Sequence, residues 1–80
     1  MPSRLVLYGR PDCHLCDEAR AGLEELLADG LSFQLEEVNI ESDDALHSRF
    51  LERIPVIEID GEIVSELGLD TAAVRSRLRS

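Results

Sequence analysis

Long apolar runs are missing from this chain. Stretches such as Leu5-Val6-Leu7-Tyr8 are broken almost as soon as they begin, whereas a membrane-crossing helix needs roughly 20 apolar residues in succession. No membrane partner is therefore expected. Basic charge is in the minority, with 8 Lys and Arg against 17 Asp and Glu and a net charge of −9. That balance argues against a nucleic-acid ligand, whose phosphates call for a basic surface, and against an anionic lipid surface. Aromatic residues make up only 4%, so the core has to be built from Leu, Ile, Val and Ala. Repeats, linkers and low-complexity tracts are absent, and the 80 residues read as one domain, 1–80, near the lower limit for a self-sufficient core. Met1-Pro2-Ser3-Arg4 lacks the apolar segment of a secretory leader, so a cytoplasmic location is expected. There thiols stay mostly reduced and a purely structural disulfide is not expected.

Against these absences stands a regular alternation of elements. Leu5–Tyr8 is continuous rather than alternating, as in a strand buried on both faces. From Cys13 to Asp29, Leu15, Ala19, Leu23, Leu26 and Leu27 recur at helical spacing as one stripe, and Gly30 supplies the stop. Ser32–Ile40 alternates as a strand, with a break in the pattern at Glu36-Glu37 that predicts an irregularity. Ser42-Asp43-Asp44 offers helix caps ahead of Ala45, Leu46, Arg49 and Phe50. Ile54–Ile59 is a strand with Pro55 at its entrance, Asp60-Gly61 is a strong hairpin signal, and Ile63 and Val64 lead the return. Gly68 ends that strand. Asp70 then caps a last helix through Val74 and Leu78, with Arg75, Arg77 and Arg79 suited to its C-terminal dipole. The order β-α-β-α-β-β-α predicts an α/β fold with a parallel β-α-β opening, an antiparallel hairpin, and helices flanking a mixed four-stranded sheet.

Cysteine is scarce too, with two in the chain, and both lie in Cys13-His14-Leu15-Cys16. They follow the first strand and a Gly9-Arg10-Pro11-Asp12 breaker, and they open the first helix. As a staple the pair is poorly placed, since so short a loop would contribute only about 2 kcal/mol in the chain-entropy account. As a redox pair the placement suits the chemistry. Unpaired N–H groups and the positive end of the dipole at a helix head stabilise a thiolate, and cysteine pKa values there fall from ~8.5 into the range ~3.5–7.5. A protonated His14 adds to the effect; Asp12, Asp17 and Glu18 oppose it. A moderate depression at Cys13 is expected. Cys16, at i+3, is in phase with Ala19 and Leu23 and should be the less exposed sulfur. Cys13 is then the nucleophile and Cys16 the resolving thiol. Other uses of the pair are half of a zinc site, with His14 and His47 or a carboxylate completing four ligands, two inert core cysteines, or an iron–sulfur cluster shared between two chains. The lack of a second C-x-x-C and of H-x₃₋₅-H weighs against zinc, and no metal is assigned. His14 reads as an exposed spacer that modulates the motif, and His47 as a surface residue. Tyr8 reads as the core-side end of its strand, with a hydroxyl that could reach the site mouth.

Leu5-Val6-Leu7-Tyr8-Gly9-Arg10-Pro11-Asp12-Cys13-His14-Leu15-Cys16, with Arg53-Ile54-Pro55-Val56-Ile57 and Asp60-Gly61-Glu62, resembles the glutaredoxin branch of the thioredoxin superfamily over nearly the whole chain. The nearest likeness is to small glutaredoxin-like proteins that carry His-Leu between the cysteines. The resemblance implies a thioredoxin-like fold and a thiol–disulfide oxidoreductase or electron carrier that works on a disulfide-bearing or glutathionylated protein partner. It implies no tightly bound cofactor, with glutathione as a co-substrate. It also implies a cis peptide before Pro55 beside the cysteines, with the backbone of Ile54 offered to an extended peptide or to glutathione. Arg10 stands where this family commonly has a Lys and could pair with a glutathione carboxylate; a solvated turn arginine is the other reading. Two departures stand out. His14-Leu15 replaces the usual Pro-aromatic pair. Glu62-Ile63-Val64-Ser65-Glu66-Leu67-Gly68 replaces the Gly-Gly and Asp that hold the γ-glutamyl end, and Glu66 would repel an anionic tripeptide. A redox-sensing or metal-binding module on the same fold is the alternative function, and an acidic adaptor that does not use its cysteines is a third.

Overall fold

The computed structural model describes residues 2–79. The elements run β1 (Ser3–Gly9), α1 (His14–Ala28), β2 (Phe33–Asn39), a 3₁₀ turn (Ile40–Ser42), α2 (Asp44–Phe50), β3 (Val56–Ile59), β4 (Glu62–Glu66) and α3 (Thr71–Arg79). The sheet order is β2-β1-β3-β4. β1 pairs parallel with β2 and antiparallel with β3, and β3 pairs antiparallel with β4. This is the mixed four-stranded sheet that the element order predicts. Among the described residues no helix is long and apolar enough to cross a membrane.

Alternation along the strands divides the interior in two. Leu5 and Leu7 of β1, Phe33 of β2 and Ile57 and Ile59 of β3 face Ala19, Leu23 and Leu26 of α1 and Val74 of α3. On the other face Tyr8 and Val56 meet Phe50 of α2, and Ile40, Ile54 and Cys16 at the head of α1 complete this second cluster. The larger core holds the sheet together, and the smaller one lies under the cysteines.

Local sequence explains how the elements stop and start. α1 ends in a pair of bonds from Gly30 N–H to Leu27 C=O (3.0 Å) and from Leu31 N–H to Leu26 C=O (3.1 Å). That closure needs a left-handed residue after the cap, and Gly30 supplies it with φ +98°. Asp43 caps α2, its Oδ1 accepting from Ala45 N–H at 2.8 Å and Leu46 N–H at 3.2 Å. Asp70 caps α3 through Ala73 N–H at 3.0 Å. Asp60 and Gly61 make the hairpin turn with φ 49° and 89°, and the turn is tied to β1 by Asp60 N–H on Arg4 C=O (2.9 Å) and Arg4 N–H on Asp60 Oδ1 (3.0 Å).

Three expectations need correcting. Leu15 and Leu27 are exposed; the buried stripe of α1 is Cys16, Ala19, Leu23 and Leu26, and the two leucines flank it. β2 has no irregularity at Glu36-Glu37, because its register with β1 runs unbroken from Phe33 to Asn39. The acids interrupt the apolar pattern at the margin of the sheet, where Glu36 pairs with Arg4 and Glu37 lies 3.6 Å from Arg20 of α1. The bulge lies elsewhere: Val64 is an extra residue on β4, between the pairs Ile57–Ser65 and Glu58–Ile63. His47, expected at the surface, is half-buried on α2.

Candidate active site at the head of α1

β1 delivers the chain to Gly9, and Arg10-Pro11-Asp12 turn it back, with Asp12 at φ 60°. Cys13 is the N-cap of α1 in an extended conformation (φ −104°, ψ 108°). Where a serine or aspartate oxygen usually caps a helix, the Cys13 Sγ accepts from the Cys16 N–H at 3.2 Å. The sulfur is thus placed at the head of the helix on an amide of its first turn, the position that favours an anion. Cys13 and Cys16 form a disulfide with their Cα atoms 5.2 Å apart. Cys16 is 7% exposed, while Cys13 is half-buried. The two sulfurs therefore differ in access as the spacing predicts.

The Ile54–Pro55 peptide is cis. Ile54 shares the smaller core with both cysteines, and Pro55 is fully buried beside it. The segment is held by Arg53 N–H and Ile54 N–H on the Phe50 carbonyl at 2.8 Å and 3.0 Å, and by Leu67 N–H on the Arg53 carbonyl at 3.0 Å. Since the Ile54 N–H is engaged by Phe50, any backbone contact that Ile54 gives a substrate falls to its carbonyl. Arg53 also pairs with Glu66, so the loop after β4 is tied to the proline loop through backbone and side chain. That loop carries Leu67 at φ 61° and 63% exposed, a left-handed conformation that costs a non-glycine residue about 1–2 kcal/mol. The sequence gives no signal for it.

The remaining candidates scatter. His14 points into solvent, its Nε2 3.4 Å from Glu18 Oε1. Leu15 is 50% exposed beside it. Arg10 lines a cleft of about 230 Å³ with Gly9, Pro11, Cys16, Asp17, Arg20 and the end of β2. That cleft is on the β2 side of β1, and Pro55 is on the β3 side. Among the described residues no three His, Cys, Asp or Glu side chains are grouped to hold a metal ion.

Tyr8 closes the smaller core, its ring 4.8 Å from that of Phe50, and its hydroxyl donates to Glu58 Oε1 at 3.3 Å. Partial burial raises its pKa above the ordinary 10.0, and the Glu58 carboxylate adds to this by its charge and by accepting the hydrogen bond. The neutral phenol is the form the fold favours. Its contribution to stability is complete below pH ~10, the value in an unfolded chain, and is lost as pH rises through the higher folded value. As the chain has one tyrosine and no tryptophan, absorbance near 295 nm reports Tyr8 alone. We expect its midpoint above pH 10 and a downward move in Glu58→Gln; a midpoint at or below that of the urea-unfolded chain contradicts the assignment.

The family model of the glutaredoxin-like domain matches residues 4–79. The chain is similar to protein Ne2328 from Nitrosomonas europaea, at 32% identity over 96% of this chain and 92% of that one, with a TM-score of 0.84. It is similar to a protein of X. campestris, at 34% identity over 94% and 95% of the two chains, with a TM-score of 0.76. A mutant form of the thioredoxin-like protein BC3987 matches at 26% identity over 95% and 99%, with a TM-score of 0.61. No curated protein matches the chain. A thioredoxin-like fold with the two cysteines bonded at the head of its first helix supports a redox role.

Proposed function

This chain belongs to the glutaredoxin-like domain family, and on that premise we propose that it is a thiol–disulfide oxidoreductase in which Cys13 attacks and Cys16 resolves. The observation that carries the reading is the cap geometry: Cys13 Sγ accepts from the Cys16 N–H in the first turn of α1, and Cys13 is more accessible than the buried Cys16. In the reduced protein, the Cys13 thiolate attacks one sulfur of a partner's disulfide and expels the other as a thiolate, leaving a mixed disulfide. Cys16, having lost its proton, attacks the Cys13 sulfur. The Cys13–Cys16 bond forms, the second partner sulfur leaves and takes up a proton, and two electrons have passed to the partner. Two thiols of glutathione, or a dithiol reductase, reverse the change in this protein. A cytoplasmic setting would supply either.

Two features favour a protein disulfide over free glutathione as the substrate. Glu66 and Arg53 pair with each other at the rim of the proline loop, so neither is left free to take an anionic tripeptide's charged end. Leu15 between the cysteines and Leu67, bonded to the proline loop at Arg53, are both exposed apolar side chains, suited to an extended peptide flanking a disulfide.

Equilibration in graded glutathione buffers, acid quench and intact-mass analysis test the proposal. A Cys13–Cys16 disulfide should titrate at roughly −180 to −270 mV, the span of known dithiol carriers. Cysteines that stay reduced throughout would overturn it, and a persistent glutathione adduct would move the substrate from a protein disulfide to glutathione.

A further inference from the structure

Gly9 ends β1 opposite Asn39 of β2 and lies against the first turn of α1. A Cβ on residue 9 would stand 3.0 Å from Cys16 Sγ and 3.1 Å from Cys16 Cβ, well inside the ~3.5–4.0 Å of ordinary contact. Cys16 is packed among Ile40, Phe50, Ile54 and Val56, so the helix cannot simply lift off the strand. We propose that Gly9 is a positioning residue for the resolving thiol: its missing side chain lets Cys16 Sγ lie against the end of β1 while bonded to Cys13. This rests on the disulfide-exchange reading above.

The two redox forms would feel a methyl group at residue 9 differently. The contact with Cys16 Cβ is common to both and cancels. The contact with Sγ does not cancel, because the sulfur bonded to Cys13 cannot turn away, whereas the released thiol can rotate about its Cα–Cβ bond. A side chain at residue 9 therefore penalises the disulfide more than the dithiol. Glycine here keeps the oxidised form accessible.

Wild type and Gly9→Ala are compared in the same glutathione buffers. There two glutathione thiols give up two electrons and two protons as they join in one disulfide, and the protein's S–S bond opens to two thiols. The equilibrium constant for forming the Cys13–Cys16 disulfide should fall at least about tenfold in Gly9→Ala, equivalent to a potential about 30 mV less negative. An unchanged constant, or a rise, overturns the proposal. Urea unfolding of Gly9→Ala in a Cys16→Ala background, which lacks the sulfur but keeps the Cβ, is the second measurement. The methyl should cost clearly less there than in the oxidised wild type; an equal cost, or a loss of fold that Cys16→Ala does not rescue, also overturns it. If the wild-type cysteines never form the disulfide in these buffers, the exchange reading itself falls. A normal wild-type titration with an unmoved variant removes only the role of Gly9.

Discussion

Cys13→Ser is expected to lose disulfide exchange by several orders of magnitude, while Cys16→Ser keeps the first step and stalls at the second. Serine at the cap preserves an acceptor for the Cys16 N–H and so preserves α1, but its hydroxyl is neither ionised near pH 7 nor able to form a bond of disulfide type. Cys16→Ser leaves the accessible sulfur in place and removes only the buried one. Attack on a disulfide-bearing peptide then ends in a mixed disulfide, which no internal thiol can open. Non-reducing mass analysis should find that adduct on Cys13 in Cys16→Ser, and none on Cys16 in Cys13→Ser. Equal trapping by the two variants would mean that the sulfurs are interchangeable and that the assigned roles are wrong.

The largest loss of stability is expected at Phe50. It is fully buried at the end of α2. Its ring packs on Tyr8, and the guanidinium carbons of Arg49 and Arg53 lie 4.6 Å and 5.3 Å from the ring centroid. Its carbonyl anchors the two residues that precede Pro55. Truncation of a buried Phe to Ala costs about 3–5 kcal/mol, and a domain is stable by only ~0.05–0.15 kcal/mol per residue. Phe50→Ala should therefore stand at or past the edge of unfolding, and the disulfide, which closes a very short loop, should not rescue it. Urea titration in oxidising and in reducing buffer checks both points. Phe50→Leu, which refills most of the space, should retain a cooperative transition. A loss under about 1 kcal/mol in Phe50→Ala would show that the smaller core can collapse around the gap.

The order and type of every strand and α-helix were legible because each is marked locally: Asp43 and Asp70 as caps, Gly30 as a stop, Asp60-Gly61 as a turn. The cysteine asymmetry was legible for the same reason, since helical phase places Cys16 with Ala19 and Leu23. The cis peptide at Pro55 came from the resemblance, because nothing in Ile54-Pro55 alone distinguishes it from a trans bond. What escaped the sequence depends on elements far apart in the chain. Glu36 and Glu37 looked like a break in a strand because their partners, Arg4 and Arg20, lie on other elements. The bulge at Val64 is a property of the β3–β4 register and has no glycine to announce it. Leu15 and Leu27 fit the helical stripe by spacing, but they lie on its flanks, and only the sheet beneath α1 decides how wide the buried face is. Leu67 is held left-handed by a loop that bonds to Arg53, and the distance between Gly9 and Cys16 Sγ exists only once α1 has folded back on β1.

The position of β2 has a consequence beyond this site. It is an outermost strand, and a seven-residue strand with an unpaired flank can act as a template for the same strand of a neighbouring molecule. Glu36 and Glu37 sit in its centre on opposite faces, each close to an arginine of its own chain. A second copy that tried to extend the sheet there would meet like charge on both sides of the seam and arginines already engaged. The two acids that spoil the strand's apolar pattern thus put charge on both faces of an open edge, a feature that disfavours edge-to-edge pairing.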